Sequence, residues 1–313
     1  MHYNYEVSQT NPDTGPSTQG RSIGTYGMIG LVCESSLFKA SQGATSMDTP
    51  RAPQGPEPSS KKPVIGVLLI HGLNGSRRDL EELELALQDH GMVTDNMLLP
   101  GHGVRVRDML PLGWHDWANA VRDELQALKQ RCDVVFIAGH SLGGALALHT
   151  AAYEEVAGII TMCAPLHMHP LTLPAVRIAK YLTPLVPTVR EDVRDPDARR
   201  RYTRDVYRWT PMRPVESMLQ FLPTLRTELP RVIAPALIMT SIHDHVVPAR
   251  DGREIYRRIG SKEKHLVTFH RSFHVIMKDY DREEVFAKST AFILHHAGEA
   301  TPHTVSNADR TAS

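Results

Sequence analysis

The chain has 313 residues, and its 35 basic residues (Lys plus Arg) are balanced by 35 acidic ones (Asp plus Glu). That length is enough for one large α/β domain or two small ones with a well-buried core, and the charge balance gives no electrostatic footprint for nucleic acid or an anionic membrane as the main partner. Only three cysteines occur, Cys33, Cys132 and Cys163, without C-x-x-C spacing, so no disulfide framework is expected and a reducing, cytoplasmic compartment is the simplest reading.

Residues 1–62 are rich in Ser, Thr, Gly, Pro and Gln, with a proline-heavy run at 49–58. Such a stretch buries too little apolar surface to offset its chain entropy and reads as a disordered or loosely attached tail. Met28 and Met47 are both available as later starts. The tail has no basic segment followed by an apolar core, as a signal peptide would, and its acids argue against a transit peptide. No apolar run in the chain approaches the roughly 18 residues of a membrane span.

From Pro63 the pattern changes. Residues 64–70 form a continuous apolar run of strand length, the mark of a strand covered on both faces. Helical periodicity follows at 79–90, a short strand at 97–99, a helix at 114–129, a strand at 134–138, a helix at 142–153 and a strand at 158–162. Residues 167–232 then hold no convincing strand: an apolar helical stretch at 171–186, a charged run at 189–208 and a further segment at 211–229. Alternation resumes with strands at 236–240 and 266–269 and helices at 251–259 and 283–296. Strands alternating with helices imply an α/β fold with a mostly parallel sheet. The expected domain spans 63–297, with 167–232 as a helical cap insertion, or else an extension of the core, and 298–313 as a flexible C-terminal tail.

The chemistry centres on Gly139-His140-Ser141-Leu142-Gly143, set between the buried strand at 134–138 and the helix that follows. Glycines around a serine at such a junction permit a tight turn that lifts the hydroxyl off the end of the sheet, next to a helix N-terminus that favours developing negative charge. A serine nucleophile needs a base, and the base an orienting acid, in the chain order Ser, Asp or Glu, His. Asp244 follows the strand at 236–240 and His274 the strand at 266–269, both just past the strand ends where open α/β sheets place their sites. Asp279 and Asp281 come after His274 and break the order; His270 is a weaker base because it adjoins the strand end. His243-Asp244-His245 is the competing metal reading, without a partner pair at helical spacing. For the oxyanion, one N–H is expected from Leu142 and the other from Leu73 in the loop His71-Gly72-Leu73-Asn74-Gly75, which could otherwise be a simple strand-exit turn. His102 reads as a residue shaping the rim, and Trp114 and Trp117 as packing.

Together the motifs HGLNG at 71–75, LPGHG at 99–103, GHSLGG at 139–144, DHVVP at 244–248 and SFHVI at 272–276 resemble those of small bacterial carboxylesterases and monoacylglycerol lipases of the α/β-hydrolase superfamily. The resemblance covers about residues 63–297 and leaves both tails outside. It implies the α/β-hydrolase fold, a triad of Ser141, Asp244 and His274, and oxyanion N–H groups from Leu73 and Leu142; no cofactor or metal is expected. The chain departs from hormone-sensitive-lipase-like esterases, which carry HGGG where it has His71-Gly72-Leu73-Asn74. The expected activity is hydrolysis of carboxylic esters with short to medium acyl chains, or of monoacylglycerols, through an acyl-enzyme. The expected partner is a small ester or lipid substrate, with no nucleic acid and no integral membrane segment; the sequence carries no reading of oligomeric state. An acyltransferase, thioesterase or C–C bond hydrolase would share the triad, and a non-catalytic ligand-binding protein would share the fold.

Overall fold

The computed structural model of the chain describes residues 62–103, 105–168, 171–188, 192–202 and 207–299. The tails expected at 1–62 and 298–313 lie outside these, apart from Lys62 and from Gly298 and Glu299, which extend the last helix.

The first half runs β1 (Ile65–Ile70), α1 (Glu81–Gln88), β2 (Val93–Asn96), α2 (Val106–Met109), α3 (Trp114–Lys129), β3 (Val134–His140), α4 (Leu142–Ala151) and β4 (Gly158–Met162). An insertion follows with α5 (Thr172–Leu182), β5 (Leu185–Pro187), α6 (Pro196–Tyr202), β6 (Trp209–Pro211) and α7 (Met212–Glu228). The chain returns through β7 (Ala236–Ser241), α8 (Ala249–Arg258), β8 (Lys264–Phe269) and α9 (Arg282–Glu299).

One sheet carries the strands in the order β2-β1-β3-β4-β7-β8, with every pairing parallel. The apolar runs of β3, β4 and β7 are buried along their whole length because helices cover both faces. Alternate residues serve the two layers. Leu68, Ile70, Val135, Ile137 and Ile238 join one core with Trp117, Val121 and Leu125 of α3 and with most of α4. Val67, Leu69, Val134, Phe136 and Met239 join the other, with Leu83 and Leu87 of α1 and Val285 and Ile293 of α9.

Two expectations need correction. The strand expected at 97–99 lies instead at Val93–Asn96. It is an edge strand of sequence Val-Thr-Asp-Asn, with no apolar run to mark it. Met97 and Leu99 are buried in the loop beyond it, where the Leu99 N–H is donated to His71 Nε2 at 3.1 Å. The segment 167–232 is not strand-free: β5 and β6 pair as an antiparallel ribbon. Three residues per strand, each strand ending in proline, leave no alternation to read.

Candidate active site

The sheet places the site. β1 lies between β2 and β3, so the strand order reverses direction there, and the crevice beyond the C-terminal strand ends at such a point is where open α/β sheets bind ligands. The turn after β1 and the turn after β3 meet at that edge. A Cβ added at Gly72 would sit 3.2 Å from Ser141 Cβ and 3.3 Å from His140 Nδ1.

Ser141 sits between β3 and α4 with φ 52° and ψ −119°, a conformation that costs a non-glycine residue free energy. The flanking glycines make it possible: a Cβ at Gly139 would run into the Gly143 carbonyl, and one at Gly143 into the Ile70 carbonyl. The strained turn is held by the Ser141 N–H donating to the Met162 carbonyl at 2.9 Å and by the Ser141 carbonyl accepting the Ala145 N–H of α4 at 3.1 Å, with the N-terminal N–H groups of α4 opening at the serine. Among the described residues the non-glycine positions with positive φ are Asn74, Ser141 and Cys163, which follow β1, β3 and β4 at the same edge. Strain of this kind concentrates at functional sites.

Asp244 and His274 come from the turns after β7 and β8. His274 Nδ1 lies 2.7 Å from Asp244 Oδ2, with both side chains buried. The other carboxylate oxygen, Oδ1, accepts the N–H groups of Val246 (2.8 Å) and Val247 (2.7 Å). Burial alone would raise the Asp244 carboxyl, but the imidazole beside it, the hydrogen bond from it and the two backbone donors hold it below the ordinary carboxylate range. The ionised carboxylate therefore accepts the hydrogen bond of the imidazole Nδ1–H and leaves Nε2 as the nitrogen free to act as base. The structure thus brings Asp244 and His274 into direct contact. It links them to the serine turn through His140, whose ring lies 4.7 Å from that of His274 and whose Nε2–H is donated to the His274 carbonyl at 3.2 Å.

Leu142 begins α4 and is buried, while Leu73, half-buried, packs against the core in the turn after β1. The Leu73 turn is tied down on two sides. His71 accepts the Leu99 N–H at Nε2, so its Nδ1–H is donated to the Gly72 carbonyl at 2.8 Å. Asn74 Nδ2 donates to Thr210 Oγ1 of β6 at 2.8 Å. His102 is buried edge-on to His71 at 4.9 Å and to Trp117 at 5.9 Å, and Trp117 Nε1 donates to the Pro100 carbonyl at 3.1 Å. Burial lowers His102 to a pKa of about 4 and, with the neighbouring His102, lowers His71 to about 3; His140 is held at about 3 by burial and by His274. All three are buried, neutral histidines.

The profile of the family described as serine aminopeptidase, S33, matches residues 61–281. The chain belongs to this family of α/β-hydrolases. It is 31% identical over 235 residues to a thermostable monoacylglycerol lipase of Bacillus sp. strain H-257, covering 75% of this chain and 92% of that protein. It is 26% identical over 227 residues to a carboxylesterase of Bacillus subtilis strain 168, covering 70% of this chain and 88% of that protein. A solved chain described with LipS and LipT, two metagenome-derived lipolytic enzymes, superposes with a TM-score of 0.70 at 33% identity, covering 74% of this chain and 94% of its own. With such relatives this S33 α/β-hydrolase is a carboxylic ester hydrolase of the esterase and lipase type.

Several residues around the candidate site carry no signal in the sequence. Asp281, weighed only as a rival acid, accepts the N–H groups of Arg271 (3.1 Å) and Ser272 (2.9 Å) and the Ser272 hydroxyl (2.7 Å). Asp279 accepts the Phe273 N–H at 2.9 Å and, from the insertion, the Arg194 and Asp195 N–H groups at 2.6 and 2.9 Å. Both acids thus frame the loop of His274. His270 is exposed at the end of β8. His243, Asp244 and His245 do not converge: Asp244 faces His274, whereas His245 Nδ1 faces Asp192 Oδ1 at 2.6 Å. The Cys163 thiol, an Asp244 oxygen and a His274 nitrogen lie within 4.8 Å of one another, a spacing that a metal ion also accepts. Burial, and then the Asp244 carboxylate, push that thiol well above its ordinary range. Among the described residues no helix is long and apolar enough to cross a membrane.

Proposed function

We propose that the protein hydrolyses carboxylic esters with short to medium acyl chains, or monoacylglycerols, through an acyl-enzyme on Ser141. The observation that carries this reading is the 2.7 Å contact of Asp244 with His274, at the sheet edge where Ser141 holds its strained turn. His274 Nε2 takes the Ser141 proton as the hydroxyl attacks the ester carbonyl. Asp244 keeps the imidazole in the useful tautomer and stabilises the imidazolium. The N–H groups of Leu73 and Leu142 receive the oxyanion. The alcohol leaves with the proton from His274, and water then enters by the same route, giving the acid and regenerating the serine.

The domain reading belongs to the same proposal: a hydrolase domain over 63–297, with the insertion at 167–232 acting as a cap. Its helix α5 supports an apolar, lipid-like substrate, because Leu171, Ile178, Tyr181 and Leu182 are 69, 65, 79 and 81% exposed at or beside one helix face. The Bacillus relatives named as a monoacylglycerol lipase and a carboxylesterase point to the same substrate class. A reducing, cytoplasmic location is supported by Cys132 and Cys163, which are free and buried.

A panel of p-nitrophenyl esters from acetyl to decanoyl, run with monoacylglycerols and with an added alcohol or thiol acceptor, tests the reading. Free acid as the product, with butyryl to decanoyl esters or monoacylglycerols preferred, is the expected result. A clear preference for acetyl contradicts the apolar acyl site, and acyl transfer to the acceptor in place of hydrolysis replaces the proposed reaction.

A further inference from the structure

We propose that Asp192, in the insertion, is a positioning residue of the catalytic site, clamping the loop that carries Asp244 to the loop that carries His274. The inference rests on the triad reading above. Asp192 Oδ2 accepts the N–H of His245 at 2.9 Å and the N–H of His274 at 3.2 Å. One carboxylate oxygen therefore holds the main chain of the residue after the acid and of the base itself. Its Oδ1 takes His245 Nδ1 at 2.6 Å, and its backbone carbonyl accepts the Val275 N–H at 3.2 Å. The Asp192 side chain is 12% exposed, so these donors meet a carboxylate largely withdrawn from water, where charge-assisted hydrogen bonds are strong.

Each loop has internal anchors of its own. Asp244 Oδ1 fastens the turn through Val246 and Val247, and Asp281 fastens the His274 loop through Arg271 and Ser272. Removing Asp192 leaves both sets in place. What it releases is the tie between the residue after Asp244 and His274 itself, leaving the Ser241 hydroxyl on the Ser272 carbonyl to join the loops farther from the base, and with that tie goes the geometry in which His274 meets Asp244. Two residues further on, the Arg194 and Asp195 N–H groups dock on Asp279, which also holds the Phe273 N–H. The segment Asp192 to Asp195 is thus built into the frame of the base.

The test compares Asp192→Ala and Asp192→Asn with the full-length wild type, measuring kcat and KM on one p-nitrophenyl ester, the rate of labelling by a fluorophosphonate, and Tm. Misplacement of a catalytic group by about 1 Å costs up to about 100-fold in rate. Asp192→Ala is expected to lose about 10-fold to 100-fold in kcat with KM little changed, and to label more slowly in proportion. Asp192→Asn keeps an amide oxygen for the two N–H donors and is expected to recover most of that loss. A wild-type kcat in Asp192→Ala, or an equal loss in Asp192→Asn, overturns the clamp. If Asp192→Ala does not fold, Asp192→Glu carries the test, because one added methylene moves the carboxylate off its donors: a kcat loss at unchanged KM supports the clamp and wild-type kcat overturns it. His274→Ala separates the two claims. Near wild-type activity in that variant overturns the triad reading itself, whereas an inactive His274→Ala beside a fully active Asp192→Ala overturns the clamp alone.

Discussion

His140 donates its Nε2–H to the carbonyl of His274, 3.2 Å away and 134 positions along the chain. The residue before the serine thereby holds the backbone of the candidate base, and the serine turn and base loop cannot drift independently. His140 is buried with a pKa of about 3, so it stays the neutral donor throughout the working pH range.

Replacing His140 by Ala removes that donor and leaves the His274 carbonyl without it in a buried site. The expected stability cost is about 1–3 kcal/mol, the penalty for a buried polar group left unsatisfied. A drop in kcat of about 10-fold is expected beside it, since misplacement of a catalytic group costs up to about 100-fold. Thermal melts and ester kinetics on the same preparation check both.

His71, His102 and His140 all have folded pKa values far below the ordinary value of 6.5, at about 3, 4 and 3. Their neutral forms belong to the folded state, so between pH 6.5 and about 4 the unfolded chain binds more protons. Stability is therefore complete above about pH 6.5 and falls as pH drops below it, by at most about 1.4 kcal/mol per pH unit for each histidine. A Tm series from pH 7.5 to 4.5 is expected to decline increasingly steeply below pH 6.5. A Tm independent of pH over that range contradicts the neutral scaffold.

Gly143→Ala introduces a Cβ that meets the Ile70 carbonyl beneath the serine turn. Backbone cannot give way there as a flexible side chain would, and a cost on the order of 1–3 kcal/mol is expected from such overpacking. The measurement is the shift in Tm, with circular dichroism to show that the fold persists.

Leu73 enters the proposed chemistry through its backbone N–H. Leu73→Ala is expected to stay within about 3-fold of wild-type kcat, because the donor survives the change. Leu73→Pro removes the N–H and is expected to lose about 100-fold or more, the usual result of deleting an oxyanion donor. Kinetics on both variants check this, and a large loss in Leu73→Ala alone would transfer the role to the side chain.

Much of this arrangement was legible in the sequence because burial on two faces leaves an unmistakable pattern. The runs that became β1, β3, β4 and β7 are apolar at nearly every position, so the motifs at their C-terminal ends could be assigned to one edge of a sheet. The edge strand β2 and the ribbon of β5 and β6 escaped, because a partly exposed strand or a strand of three residues needs few apolar positions. The residues that brace the site escaped for a different reason. Asp192, Asp279, Asp281 and His140 act through backbone partners, some of them tens of residues away in the chain, and an aspartate that receives backbone N–H groups looks in sequence like any surface aspartate.

The most direct test of the central claim is intact-mass and peptide-mass analysis after treatment with a fluorophosphonate, with Ser141→Ala as the control. The expected result is a single adduct on Ser141, complete loss of esterase activity in step with labelling, and neither adduct nor activity in Ser141→Ala. An adduct elsewhere, or esterase activity near the wild-type level in Ser141→Ala, contradicts the assignment of Ser141 as nucleophile.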